Sequence, residues 1–177
     1  GQPRQQLPFR RLIASVRRAQ LLLVLVLLAG CSQRYSAPGL GDQEDPALSG
    51  NGRLLVSVVD RGGRRSLRLV ERSSGRELPL PGLRQGQPHR SPSLSWTGRY
   101  LAFIRQRGTR PEAVLLDRLS GRLQPLALPN DRLPERLSLA PDGQQLAVQV
   151  LRRGQLDLEL FRLPALEPDL PAGAPLP

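Results

Sequence analysis

The sequence has no lysine and no methionine, a single cysteine, histidine and tryptophan, and only 3% aromatic residues in 177. One cysteine excludes an internal disulfide and any multi-cysteine metal site. Scarce aromatics argue against the stacking platforms that bind single-stranded nucleic acid, and they leave leucine and valine to build the core. The longest apolar run, Leu21–Leu28, is about half of the ~20 residues that a membrane-spanning helix needs. No phosphate-cradling glycine loop and no zinc-ligand spacing is present. His89 lies in the turn-rich stretch GQPHRSPS and is expected at the surface. A Ser-His-Asp arrangement can be drawn through it with Ser91 or Ser95, but nothing in the spacing supports one. The sequence therefore predicts no catalytic residue, no cofactor, no metal site and no evident small-molecule substrate.

Charge of one sign dominates. The net charge is +11, and all 26 basic residues are arginine. They are spread from Arg4 to Arg162 rather than gathered into one face. This reads as a coding bias towards arginine, not as a nucleic-acid interface. Glycine (17) and proline (18) are plentiful, which points to many turns rather than long helices. Asp60, Glu71, Asp117, Asp142 and Asp157 fall at strand ends or turns, where they are expected to solvate hairpins.

Residues 1–20 carry five arginines and no acid; the apolar run follows, and then Ala29-Gly30-Cys31. A basic region, a short apolar region and a small-residue cleavage site come in signal-peptide order. The run Leu28-Ala29-Gly30-Cys31 resembles the lipobox of bacterial lipoproteins. The resemblance implies cleavage between Gly30 and Cys31, a diacylglyceryl group on the Cys31 thiol and acylation of the new amino group. Several acyl chains give a stable anchor where one is marginal. Ser32 follows the cysteine, in place of the aspartate that favours inner-membrane retention in that family. Arginine pairs precede the apolar run, but their surroundings fit a twin-arginine export signal poorly, so the general secretory route is expected. Residues 1–30 are thus expected to be a signal peptide, and 31–46 a polar, flexible tether. After cleavage the charge falls to +6, with 21 arginines against 15 acids.

The remainder repeats. Gly52, Gly98 and Gly143 are equivalent, and Leu48, Leu94 and Leu139 sit four residues before each. Gly63, Gly108 and Gly154 mark a second turn in each unit. Ser74-Gly75 and Ser120-Gly121 mark a third, where the last unit has Leu163-Pro164. Between the turns lie short strand-like runs: Leu54–Val59, Tyr100–Ile104 and Leu146–Val150, then Leu67–Val70, Ala113–Leu116 and Leu156–Phe161. A period near 45 residues with several hairpin-linked strands is the size of one propeller blade. The predicted class is all-β: three blade-like antiparallel sheets over residues 46–170, then a proline-rich tail over 171–177.

The run Pro-x-Leu-Ser-x-x-Gly-Arg-x-Leu-Ala-Phe at Pro92–Phe103 is similar to the TolB-type β-propeller repeat, as is Leu139-Ala140-Pro141-Asp142-Gly143-Gln144-Gln145-Leu146-Ala147. Only the third unit keeps the Pro-Asp-Gly turn of that family; the second has Trp96-Thr97-Gly98 and the first Gly50-Asn51-Gly52. Three units are half of the six that such propellers usually carry. The resemblance implies a partial propeller and a non-enzymatic binding or assembly protein of the bacterial envelope. The expected partners are the membrane, through the lipid on Cys31, and a protein or a second copy. The expected location is the periplasmic side of either membrane, with a thylakoid lumen left open. The alternative is an accessory domain working with an enzymatic partner such as a peptidase.

Strand alternation also predicts how the units meet. The middle unit is apolar on both faces and is expected to be sandwiched. In the third, Leu156, Leu158 and Leu160 alternate with Asp157 and Glu159, the pattern of a one-sided terminal cap. The first unit keeps apolar residues on both sides of its first strand, so an unfinished face near Leu55 and Val59, or near Leu54 and Val58, is expected to dock a partner. Trp96, in a turn, is either a contact residue or a cover for the end of its own blade.

Overall fold

The computed structural model describes residues 39–83 and 87–174, and every element in it is a β-strand. The expected signal peptide, its Gly30–Cys31 cleavage site and the first half of the tether lie outside the described residues. Strands β1 (Asp42–Leu48), β2 (Leu54–Arg61), β3 (Arg64–Glu71) and β4 (Glu77–Leu78) form the first sheet in chain order. Strands β5 (His89–Leu94), β6 (Tyr100–Arg107), β7 (Arg110–Asp117) and β8 (Arg122–Pro125) form the second in the same way. The third has three strands, β9 (Leu133–Leu139), β10 (Gln145–Arg152) and β11 (Gln155–Arg162). All pairings are antiparallel. The three blade-like sheets are those the repeat predicts. Their central strands run two or three residues further into the hairpins than the apolar runs indicate, because exposed arginines there still pair through the backbone.

The first strand begins earlier than expected. Asp42–Pro46, read as part of the tether, pairs with β2 through Asp42↔Asp60 and Gln43↔Val59. A polar edge strand has no hydrophobic periodicity and is invisible to it. A bulge breaks its register between Glu44 and Ala47, and the same irregularity recurs in β5 between Arg90 and Ser93. Asp45 and Ser91, at those bulges, both take positive φ. Bulges re-aim side chains, and here they stitch the sheets together. The Ser91 N–H donates to the Asp45 carboxylate at 3.0 Å, and the Leu137 N–H donates to the Ser91 hydroxyl at 3.0 Å.

Two apolar layers separate the sheets. Val56 and Leu69 of the first sheet meet Leu94, Leu101, Phe103 and Leu116 of the second. Tyr100, Ala102 and Leu115, from the other side of the second sheet, meet Leu139, Leu146, Val148 and Val150 of the third. The middle sheet is buried on both sides, as its double-faced apolar pattern predicts.

The third sheet corrects the terminal-cap expectation. Leu146, Val148 and Val150 do face inward, but their direct cross-strand partners on β11 are Phe161, Glu159 and Asp157. Leu156, Leu158 and Leu160 therefore point the other way, and they are 56%, 79% and 78% exposed. Alternation gives two faces but not which one looks inward; the register with β10 decides that.

Candidate functional site

Three surfaces are candidates. The first is built from the turns that open each central hairpin. In the second unit, the Ser95 hydroxyl accepts from the Tyr100 N–H at 2.9 Å, and the Gly98 N–H donates to the Ser95 carbonyl at 3.1 Å. The first unit repeats this with Ser49, Leu54 and Gly52. In the third unit Ala140 replaces the serine, and Asp142 caps the turn by accepting from the Gln144 N–H. The turns stack: the Asn51 N–H donates to the Trp96 carbonyl at 2.9 Å, and the Trp96 N–H to the Pro141 carbonyl at 2.6 Å. Trp96 is half-buried and lies over Gly50, where an added Cβ would come within 2.6 Å of its ring. It covers the neighbouring unit's turn rather than the end of its own. Gly143 has φ +75, and a Cβ there would collide with the Tyr100 ring.

Asp169 completes this end. It is buried, and its carboxylate accepts from the Ser95 hydroxyl at 2.5 Å, the Thr97 N–H at 2.8 Å and the Thr97 hydroxyl at 2.8 Å. Its own N–H donates to the Asp142 carbonyl. Sequence reasoning missed this residue: a lone acid in PALEPDLPAG carries no periodicity. Beside it, Arg99 pairs with Asp117 at 3.2 Å and Glu167 at 2.7 Å, and stacks 5.0 Å from the Tyr100 ring. Burial alone would raise the Asp117 carboxyl. The Arg99 guanidinium, the Leu119 N–H and the Ser120 hydroxyl together hold it below its ordinary value. The Tyr100 hydroxyl donates to the Glu167 carbonyl, and burial pushes it up. These polar groups satisfy one another and form a clasp.

The second candidate is a cleft of about 520 Å³, lined by Arg61, Arg64, Arg65, Arg68, Glu77 and His89 among others. His89, expected at the surface, is only 2% exposed. It starts β5 between the first two sheets, with its ring edge-on to Phe103 at 5.4 Å. Among the described residues neither ring nitrogen makes a hydrogen bond of good geometry. Burial lowers its pKa below the ordinary 6.5; the Arg65 backbone opposes this with a smaller pull, and the Arg105 charge adds a lesser lowering. Two of its four arginines are paired with acids, Arg65 with Glu44 and Asp60 and Arg68 with Glu77, and the Arg61 guanidinium donates to the Leu40 carbonyl. The two serines that the sequence pairs with His89 are engaged elsewhere: Ser95 with Asp169 and Tyr100, and Ser91 with Leu137. Among the described residues no three His, Cys, Asp or Glu side chains are grouped to hold a metal ion, and no helix is long and apolar enough to cross a membrane.

The third candidate is the outer face of the third sheet, with its three exposed leucines. The sequence-predicted contacts are placed elsewhere. Leu55 is half-buried and Val59 is 2% exposed. The structure does not bring Trp96 together with them into one patch, since it sits in the stack of turns.

No family model matches the chain, and no curated protein does. Solved structures do match. TolB from Acinetobacter baumannii aligns with a TM-score of 0.57 and 18% identity, over 69% of this chain and 30% of that one. A putative TolB from Agrobacterium tumefaciens gives 0.55 and 13%, over 69% and 46%. The β-propeller domain of the Trilobed protease from Pyrococcus furiosus gives 0.54 and 13%, over 75% and 43%. The chain thus spans less than half the length of these proteins. At such identities the likeness is one of fold: three sheets of a TolB-like β-propeller.

Proposed function

We propose that the chain is a lipid-anchored, non-enzymatic interaction module of the bacterial cell envelope. The observation that carries the reading is the run Leu28-Ala29-Gly30-Cys31 after a short apolar stretch, ahead of a propeller-type domain with an open apolar face. Cleavage before Cys31 and acylation of its thiol and amino group would fix the domain to the periplasmic side of a membrane. Propellers present broad surfaces on rigid sheets, and the fold needs no chemistry to serve as a scaffold. Mass spectrometry of the native protein tests the anchor. The expected N-terminus is acylated Cys31; an intact 1–30 segment or a free Cys31 thiol on the mature protein would refute it.

A second reading is an accessory domain for an enzymatic partner chain. What favours it is the similarity to the propeller domain of a protease. Affinity capture of the mature protein from its own membranes separates the two, since this reading requires a peptidase or other hydrolase in stoichiometric yield.

A further inference from the structure

The chain enters the first sheet at one particular end. Asp42 pairs with Asp60, beside the β2–β3 hairpin rather than beside the turns that open the sheets. Two contacts hold the preceding residues there. The Arg61 Nε–H donates to the Leu40 carbonyl at 2.9 Å, and Gly41 lies so close to the Asp60 carbonyl that a Cβ would collide with it. The opening turns of all three sheets stack on one another, so the β2–β3, β6–β7 and β10–β11 hairpin tips share the opposite end. Those tips are rich in arginine. Arg61↔Arg64 and Arg107↔Arg110 are the cross-strand pairs that close the first two, and Arg152 and Arg153 stand in the third. Ion pairs use part of this charge: Arg65 with Glu44 and Asp60, Arg105 and Arg107 with Glu112, and Arg152 with Asp131. Arg61 and Arg110 meet backbone carbonyls instead, and Arg64 and Arg153 stand in no ion pair among the described residues. The acids nearest them outside the ion pairs are Asp42 and Asp157.

We infer that this end is the membrane-facing surface of the domain and that its arginines bind the phosphates of anionic lipids. The inference rests on the Cys31 anchor proposed above and says which face that anchor turns towards the bilayer. Eight residues separate Cys31 from Leu40, a span of at most about 30 Å even at full extension. An eight-residue strand is roughly 27 Å long. Turning the domain over would lift Leu40 from the bilayer by nearly that whole reach. Charge acts in the same direction. Fixed charges more than ~8 Å from the lipid are largely screened at physiological salt, so the end next to the bilayer dominates, and each arginine there adds to the attraction. Exposed Arg53, Arg122 and Arg162 lie at the turn end, so charge alone does not choose the face; the point where the chain enters does. Arginine suits the role, because its planar fork donates two parallel hydrogen bonds to a phosphate. An acyl anchor joined to a basic patch also holds more firmly than one signal alone.

The test places one fluorescent thiol label at either end of β7 in the mature protein, whose own cysteine is acylated. Thr109→Cys puts the label at a tip, and Leu119→Cys, at a site 78% exposed, puts it at the turn end. Each protein is incorporated into vesicles of phosphatidylcholine, or of an equal mixture of phosphatidylcholine and phosphatidylglycerol, with a quencher linked to the lipid headgroups. On the anionic vesicles the tip label is expected to be quenched at least about threefold more than the turn-end label. That excess is expected to shrink at high salt, on neutral vesicles and in Arg64→Gln/Arg153→Gln, whose exposed sites leave the sheets intact. Equal quenching at both ends, or stronger quenching at the turn end, would overturn the inference. An excess that neither lipid charge nor salt alters would overturn the role of the arginines. A tip left unquenched on vesicles but shielded in its native membranes would assign the surface to a protein and overturn the lipid. Flotation separates failure of the anchor. A protein that does not float with neutral vesicles lacks the acyl anchor, and the inference falls with that reading; one that floats with both vesicles but shows no tip excess keeps the anchor and overturns the orientation alone.

Discussion

The first and third sheets come from the same repeat, yet they end the stack differently. At the first end, Val59 and Val70 are buried and only Leu48 stands well exposed. At the third, a stripe of three leucines on β11 faces outward, with no described strand on its outer edge where β4 and β8 pair in the other sheets. The cause is a turn. Ser74-Gly75 and Ser120-Gly121 reverse the chain and lay down a fourth strand, whereas Leu163-Pro164 carries it onwards to the Asp169 clasp. The third unit gives up a strand and gains a clasp that ties its tail to the turns of the second.

Predictions that sharpen the comparison run from the buried layers outward. Phe103→Ala, in the layer between the first two sheets, is expected to cost about 3–5 kcal/mol by denaturant unfolding. Leu158→Ala, the same chemistry on the open face, is expected to cost less than about 0.5 kcal/mol in the isolated protomer. Equal losses would mean that the face is not open. Gly143→Ala is expected to lose about 2 kcal/mol or more, because the side chain needs an unfavourable φ and meets Tyr100. Gly154→Ala has a similar φ but open space around it, so it should lose only the backbone part. Asp169→Ala strands the donors on Ser95 and Thr97 and is expected to cost about 1–3 kcal/mol, with faster exchange of the Thr97 amide.

The smallest effect is one of pH. His89 has a lowered pKa in the folded chain, so between that value and its ordinary 6.5 the unfolded chain binds more protons. Stability is then fully present above about pH 6.5 and is lost as pH falls below it. His89→Phe should flatten the decline in Tm between pH 7 and pH 5. A further drop near and below the ordinary carboxylate range is expected from Asp117, whose stabilising ionised form is lost as pH falls through its lowered pKa.

Much of the fold was legible because glycines at fixed positions and short apolar runs report hairpins directly. Gly52, Gly98 and Gly143 all take positive φ at the turns the repeat marks. What the pattern cannot carry is anything set by register or by polar pairing. The direction of the leucine stripe depends on whether Val148 opposes Glu159 or Leu158. The burial of His89 depends on where β5 begins. β1 is polar and short of periodicity, and Asp169 finds its partners more than 70 residues away.

Hydrogen exchange of the full chain, read for β3 and β11 at several protein concentrations, tests the unequal ends most directly. These strands are equivalent in the repeat and differ in what covers them. The expected result is slow exchange in β3 and fast exchange in β11 at high dilution. Exchange in β11 as slow as in β3 at the highest dilution would contradict an open third face.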